Sequence, residues 1–516
     1  MAEEQTLIQG SKVGITIAAM AAALMAILDI SIVNVALTDI RASFGTPIDQ
    51  IAWVSTGYMM ANVVVIPLTG WLQKRFGFKK YFTFSIILFI IASALCGSAW
   101  NLPSLVAFRI LQGIGGGAII PTAQSILFSR YPTKEHGMAG ALFGLGAVTG
   151  PLLGPTLGGY LIDVASWHWI FLINVPVGIF AAFMAWKYIE EPGFEASKNP
   201  VDRYGLSLLA VGMGSLQYVL EEGNRDDWFS SNLILGLACI AAVSLVTFVV
   251  HSLETEHPIV DLRVFKDTAY SAATGINFLV GMALFSAGFL FSLYCGAVMH
   301  YKALDIGILF LKGCWIQVIM MPFIGKFASK VDGRMMIAFG MMVLVISLWM
   351  HTQFSAQADM TAMIKPLFVR SVGLSFIFVP LSILALSGLP ARQRGNGAGL
   401  FNLTRELGGS IGTAWMSTML NRQQVRATSY YAEHVTAMSP QTIERLQSIR
   451  SGVGWRFSDP VTSGYAVIAN TIQTQGMVKA FNNCFWYVTA IFACGMLFIF
   501  FLKKPQKGGA AIHDAH

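Results

Sequence analysis

The sequence predicts an all-α integral membrane protein of fourteen transmembrane helices, on three observations. Of its 516 residues, 55% are hydrophobic and only 12% charged, about half the ~25% charge of an ordinary soluble chain. The apolar residues fall in blocks of about 20, the length that crosses a hydrocarbon core of ~30 Å at 1.5 Å per residue. Fifty glycines and eighteen prolines agree with this, since both are commoner in membrane helices than in soluble ones.

The spans run roughly 13–37, 51–72, 81–100, 103–128, 138–163, 169–189, 205–221, 232–253, 270–298, 304–328, 334–353, 363–389, 397–420 and 481–502. The seventh is short and ends in Glu221 and Glu222. Basic residues gather in alternate loops: Lys74, Arg75, Lys79 and Lys80; Arg130 and Lys134; Lys326, Lys330 and Arg334; Arg392 and Arg394; and the tail with Lys503, Lys504 and Lys507. The other set of short loops offers Arg41, Arg225 and Lys302. Positive charge stays on the cytoplasmic side, so both termini are expected in the cytoplasm and residues 421–480, the one long loop, outside. That loop is polar, with apolar residues spaced as on short amphipathic helices. It reads either as solvated surface or as a docking site for a periplasmic partner.

A repeat is legible within the chain. GWLQKRFGFKK from Gly70 and GKFASKVDGR from Gly325 are offset by 255; Arg109 and Arg370 by 261; Pro121 and Pro380 by 259; and the runs from Gly140 and Gly399 by 259. Similar offsets at four anchors argue for a duplicated six-helix unit, as in one large class of secondary transporters. The expected organisation is a cytoplasmic N-terminus (1–12), an N-terminal six-helix bundle (13–190), an insert carrying helices seven and eight (191–269), a C-terminal six-helix bundle (270–502) and a cytoplasmic tail (503–516).

Several classes are excluded. The net charge of +7 sits in short loops with no basic stripe, which speaks against nucleic-acid binding. The six cysteines lie within or at the ends of apolar blocks without metal-ligand spacing, so neither a metal site nor a disulfide framework is expected. No phosphate-binding loop precedes a helix, and the run Gly113, Gly115, Gly116, Gly117 lies inside an apolar helix after no strand. The first apolar block is too long for a cleavable signal and carries Asp29. No catalytic motif and no cofactor are expected; the energy source would be a proton gradient.

Ionisable residues within spans are the most informative feature, because each costs a few kcal/mol at the bilayer centre. Asp29 and Arg109 fall at comparable depth on antiparallel spans, so an ion pair is expected. A carboxylate beside a switchable arginine can exchange a proton as its surroundings change. The second half carries Lys312, Arg370, Arg405 and Glu406, with Glu406 a further acid for proton coupling. Arg370 and Arg405 would charge the cavity, as would Lys312 unless it snorkels to the interface. The interior sum is +4 − 2 = +2, which favours neutral or weakly acidic lipophilic substrates over strong cations. Gly70, Lys74, Arg75 and Gly77 mark a hinge or gate. In the fifth span Gly146, Gly150, Gly154 and Gly158 share one face, with Pro151 and Pro155 bending the helix. That face is either plain packing or a pliable seam between the two bundles.

LDISIVNVAL (Leu28–Leu37), GWLQKRFGFKK, RILQGIGGG (Arg109–Gly117) and GPTLGG (Gly154–Gly159) occur in order. They resemble the motifs of the major facilitator superfamily, specifically its fourteen-helix drug:proton antiporters of the EmrB/QacA type. WFSS, HPIVDLRVF and LTRELGGSIGT, with the long loop before the last helix, look like that family's Gram-negative branch. The resemblance implies alternating access, with spans one, four, nine and twelve lining the cavity. It also implies proton-driven export of hydrophobic drugs across the bacterial inner membrane, Asp29 as proton carrier and Arg109 as its partner. A periplasmic adaptor and an outer-membrane channel are the implied partners. The sequence departs from the pattern where Lys74 replaces a loop aspartate and where Ser31 and Thr38 stand for threonine and proline. Lys312 replaces an apolar residue or proline. A dedicated exporter of one metabolite class, such as fatty acids or a siderophore, is the alternative on the same fold. A nutrient importer, disfavoured by GPTLGG, and a membrane sensor are remoter ones.

Overall fold

Caps and charges set where each helix begins. In this computed structural model residues 8–502 are described, except 198, 329, 391–392, 436–439 and 454–459; residues 1–7, Arg392 and the tail 503–516 lie outside the described residues. The N-terminal half contains α1 (Lys12–Phe44), α2 (Trp53–Phe76), α3 (Phe78–Cys96), α4 (Leu102–Arg130), α5 (His136–Val164) and α6 (Asn174–Tyr188), the last preceded by a turn at Trp169–Leu172. Then come α7 (Arg203–Glu222) and α8 (Asn232–Glu254). The C-terminal half contains α9 (Thr268–Ala297), α10 (Ala303–Phe327), α11 (Gly333–His351), α12 (Met360–Leu386), α13 (Arg394–His434) and α14 (Pro460–Gly495). Short polar side chains cap the helix starts: Asn101 accepts from Ser104 N at 2.8 Å, Asp202 from Gly205 N at 2.8 Å, Asp267 from Ala269 N at 2.8 Å and Asp359 from Ala362 N at 2.9 Å.

The molecule is an all-helical membrane protein, and no strand occurs among the described residues beyond a single bridge between Gln9 and Glu190. Among the described residues, ten helices are long and apolar enough to cross a membrane: α1, α3, α4, α6 with its leading turn, α8, α9, α10, α11, α12 and α14. The other four, α2, α5, α7 and α13, carry more glycine and polar side chain, including Asn62, Gln217, Asn402, Arg405 and Glu406.

Helix pairing repeats between the halves. α1 packs on α5, α2 on α4 and α3 on α4; correspondingly α9 packs on α13, α10 on α12 and α11 on α12. The halves meet along two seams, α5 with α10 and α2 with α13, which the repeat also exchanges. Gly70 and Gly325, the glycines that open the two related loop motifs, each lie on one of these seams. A Cβ at Gly70 would come 2.5 Å from the Asn396 backbone, and one at Gly325 would come 2.7 Å from Gly137 O and Ala141 Cβ.

The start of α1 and the α2–α3, α4–α5 and α10–α11 turns share one face of the bundle, which is basic and carries the start of α13 as well. Here the halves are hydrogen-bonded. Asn402 donates to Gln124 Oε1 (2.5 Å), Gln124 donates to Ser382 (3.5 Å), Arg394 donates to Phe128 O (3.0 Å) and His136 Nδ1 meets Ser387 Oγ (2.7 Å). Lys12 pairs with Glu135 on the same face. The basic turn is held by the linker after α6: Arg75 donates to Ser197 O (2.5 Å), and Glu191 accepts from Phe78 N and Lys79 N at 2.8 and 2.9 Å. A carboxylate at a helix N-terminus meets its unpaired amides and positive dipole end. Gly77, with φ +81°, makes the turn that brings them together.

One of the two readings of the α5 glycines is corrected. The glycine stripe of α5 is not a seam between the bundles, because it faces α1 of its own half. Gly150 lies on Ile27, Gly154 on Ser31 and Gly158 on Ile32. The contact with α10 uses a different face, where Gly137 meets Gly325, Gly144 meets Met321, Thr156 meets Gly307 and Gly159 meets Leu304. The long loop 421–480 is largely helical: Pro440–Val453 forms a separate short helix of 14 residues, as the spacing predicts, and most of its other described residues continue the flanking helices. α13 runs 41 residues to His434, about 61 Å at 1.5 Å per residue, and α14 begins already at Pro460. Their projecting ends pack together where Gly476 meets Thr428, and at the base of the projection Gln423 donates to Tyr487 Oη and Asn483 donates to Gln423 Oε1, both at 3.0 Å.

α7 lies against the α2–α13 seam, and α8 packs on α7. Trp53 of α2 meets Tyr218 at 5.6 Å between ring centroids. Gln217 donates to Ser410 (3.1 Å), Asn224 to Ser417 (3.1 Å) and Trp228 Nε1 to Thr418 (2.9 Å).

Gly70→Val is expected to part the seal on the basic face, since its Cβ alone overlaps Asn396. In a background without native cysteines, Ser382→Cys should then react faster with maleimide than in the Gly70 parent. Equal rates would contradict the assigned contact.

Candidate functional site

The N-terminal half encloses an ion pair with no exposed surface to speak of: Asp29 is 0% and Arg109 1% exposed. Asp29 stands near the middle of α1 and Arg109 two turns into α4, so antiparallel packing sets them level. Arg109 Nη1 donates to Asp29 Oδ2 at 2.6 Å and to Gln112 Oε1 at 2.7 Å, and its Nε donates to Val54 O at 3.0 Å. Its guanidinium carbon lies 4.2 Å from the Tyr58 ring centroid, a cation–π contact strengthened by desolvation.

The second oxygen of Asp29 is also occupied. Oδ1 accepts from Gln112 Nε2 at 2.9 Å and from Asn174 Nδ2 at 2.8 Å. Both amides also donate to Ser93 Oγ at 3.1 Å, and Ser93 donates on to Phe171 O at 2.9 Å. Side chains of α1, α3, α4 and α6 and the backbone of α2 thus share one buried network. Three donors on two oxygens suit a carboxylate; a protonated Asp29 would have to release one of them. Removing one member of such a buried pair costs about 3–5 kcal/mol.

Packing fixes the carboxylate's place. Gly150 and Gly154 of α5 receive Ile27 and Ser31, the residues two before and two after Asp29. A Cβ would come 2.1 Å from Ile27 Cγ2 at Gly150 and 2.3 Å from Ser31 Cβ at Gly154. The small-residue stripe therefore sets the distance of Asp29 from Arg109. Pro155 lies on the same helix.

The C-terminal half is organised differently. Arg370 is buried in α12, with Nη2 3.7 Å from Cys314 Sγ and its guanidinium 5.5 Å from the Phe310 ring. Arg405 is buried in α13, donates to Asn402 Oδ1 at 2.8 Å and lies 6.0 Å from the Phe378 ring. Glu406 is half-buried on α13 and makes no ion pair among the described residues. Lys312 is exposed on α10, with Nζ 3.7 Å from Met360 Sδ at the start of α12. The fold therefore joins Asp29 to Arg109 but not Glu406 to Arg405. It gathers no group of metal-ligating side chains among the described residues.

Sequence reasoning missed Gln112, Asn174, Ser93 and Tyr58. Gln112 was within reach, being one turn after Arg109 in RILQGIGGG and so on the same helix face. Asn174 stands out as an amide within the apolar run IFLINVPVG. Ser93 and Tyr58 carry no such signal, because only helix packing brings them in.

The family model of the Major Facilitator Superfamily matches residues 19–413. The chain belongs to the Major Facilitator Superfamily. Relatives span its whole length. "Multidrug export protein EmrB" of Escherichia coli K12 is 35% identical over 516 residues, covering 100% of both chains. The protein of the same name from Haemophilus influenzae is 34% identical, over 97% of each. "Fatty acid resistance protein FarB" of Neisseria gonorrhoeae is 36% identical, over 95% of this chain and 96% of its own. Among solved structures, the superfamily fold recurs in the proton:xylose symporter XylE at a TM-score of 0.59, 13% identity and 96% coverage of each chain. It recurs also in the human organic anion transporter MFSD10 at 0.58 and 12%, over 95% of this chain and 100% of that one.

Asn174→Leu removes one donor from a buried carboxylate, a loss of about 1.5–3 kcal/mol. The purified variant should unfold at lower temperature than wild type and lose transport. Gly154→Leu should abolish transport by pushing α1 away from α5, and Gly154→Ala should impair it less. Wild-type behaviour in all three would contradict the network's role.

Proposed function

We propose that this chain is a proton-driven exporter of hydrophobic small molecules, working by alternating access across a bacterial inner membrane. The observation that carries the reading is the sealed Asp29–Arg109 pair. An ion pair held by Gln112, Asn174 and Ser93 in an apolar half-molecule is costly to build, and it supplies an acid whose partners change if α1 and α4 shift. Asp29 is the proton carrier, Arg109 the group that displaces the proton and Glu406 a further acid on the substrate side. No cofactor takes part. The multidrug export names of full-length relatives support the substrate class.

The fourteen labelled helices are read as fourteen spans, two six-helix bundles plus the inserted α7–α8 hairpin, with both termini in the cytoplasm. Positive charge on the face where the chain begins supports this orientation. The hydrogen-bonded seal then lies on the cytoplasmic side, so the molecule is outward-facing, with α1, α4, α9 and α12 toward the cavity. Gly70, Lys74, Arg75 and Gly77 belong to the gate that must open for substrate entry, and Gly159 to the seam with α10. The paired ends of α13 and α14 stand in the periplasm and bear exposed Val425, Tyr430, Tyr465 and Val467. They are the docking surface for a periplasmic adaptor, itself joined to an outer-membrane channel.

A dedicated exporter of one metabolite class is the second reading. It is favoured by Arg370, which has no acid beside it among the described residues, and by the fatty acid resistance named for one relative.

Energised inverted vesicles should release protons when a lipophilic substrate is added, and Asp29→Asn at equal expression should not. Release that survives in Asp29→Asn would move the proton site, with Glu406 next to be tested. A narrow response, to one metabolite class alone, would favour the second reading.

A further inference from the structure

The C-terminal half repeats the arginine of the N-terminal half without its acid. Arg370 follows Arg109 by 261 residues, and their surroundings correspond. Arg109 reaches Val54 O and the Tyr58 ring on α2; Arg370 lies against Phe310 and Cys314 on α10. Both pairs of contacts are offset by 256, since 310 − 54 and 314 − 58 are equal. Adding the repeat offsets of 255 to 261 to Asp29 covers Leu284–Leu290 of α9, which reads LFSAGFL and holds no carboxylate. At Gly288, within that run, a Cβ would meet open space.

The consequence is a buried cation without a counter-ion. Arg370 is 5% exposed and makes no ion pair among the described residues. Its Nε has no hydrogen-bond partner, and the buried Gln317 Nε2, one turn along α10 from Cys314, has none either. Buried donors are nearly always satisfied in folded proteins, and an unpaired buried charge costs several kcal/mol. Both open donors call for an acceptor. An anion with two oxygens in one plane matches a guanidinium edge bidentately, and the Phe310 ring beside Arg370 suits an apolar tail.

We propose that Arg370 is the recognition point for the carboxylate of an amphiphilic acid, its Nε–Nη2 edge taking the two oxygens. The substrate supplies the negative charge that Asp29 supplies in the other half. Gln317 is placed to donate a further hydrogen bond from α10. The N-terminal half then carries the proton and the C-terminal half selects the anion. This rests on the exporter reading for its physiological meaning, but binding can be judged without transport.

The test compares decanoate, methyl decanoate and decyltrimethylammonium binding to the purified protein in lipid nanodiscs. Wild type should bind decanoate about tenfold or more tighter than the ester. Arg370→Gln should abolish that preference and Arg370→Lys should keep part of it. Cys314→Asp, which gives Arg370 an internal counter-ion, should abolish the preference with the arginine still present. Equal binding of acid and ester by wild type would overturn the proposal, as would a preference that survives both Arg370→Gln and Cys314→Asp. If wild type releases protons with no substrate, the exporter reading fails, while the binding comparison still decides the role of Arg370.

Discussion

Burial of Asp29 against Arg109 is the constraint around which the N-terminal half is arranged. An ion pair in an apolar interior is tolerable only when both charges are fully engaged. Gln112, Asn174, Ser93, Tyr58 and the Val54 carbonyl do this from four neighbouring helices. The glycines of α5 follow from the same requirement, since α1 must lie close enough for Asp29 to meet α4. Packing that looks generic in the sequence is therefore part of the electrostatic site.

The halves are alike in how their helices pair and unlike in charge. The main helix contacts repeat, apart from α13 with α14, which has no counterpart in α5 with α6, and the two seams exchange under the repeat. Gly70 and Gly325 let the halves approach closely at equivalent places. Arg109 is neutralised by a neighbour within its half, whereas Arg370 makes no ion pair among the described residues. A duplicated scaffold keeps helix pairing alike in the two halves, and divergence of a few intramembrane residues gives each half its own charges. The inserted α7–α8 pair adds hydrogen bonds to α13 at Ser410, Ser417 and Thr418, and it covers one seam while leaving the α5–α10 seam to direct contact.

Much of this was legible in the sequence because the bilayer makes composition unusually informative. Length of apolar run gave the helices, and the cost of intramembrane charge singled out Asp29 and Arg109. Antiparallel counting set them at one depth, and the contact follows. Other features depend on helix rotation, which a repeat of four residues does not give. The stripe of Gly150, Gly154 and Gly158 could face either α1 or α10, and only packing decides for α1. At 421–480 the spacing indicated the short helix Pro440–Val453, but not that α13 and α14 run on into the polar segment, because helices that pair outside the apolar layer can be polar throughout. Ser93 and Tyr58 join the site through tertiary contact alone, so no local pattern announces them.

The central claim is that Asp29 changes protonation as the transporter works, and infrared difference spectroscopy of the purified protein tests it most directly. Substrate binding should produce a change in the carboxylic-acid C=O stretch that is absent in Asp29→Asn and shifted in frequency in Gln112→Leu. An unchanged band in Asp29→Asn would contradict the account and show that another acid carries the proton.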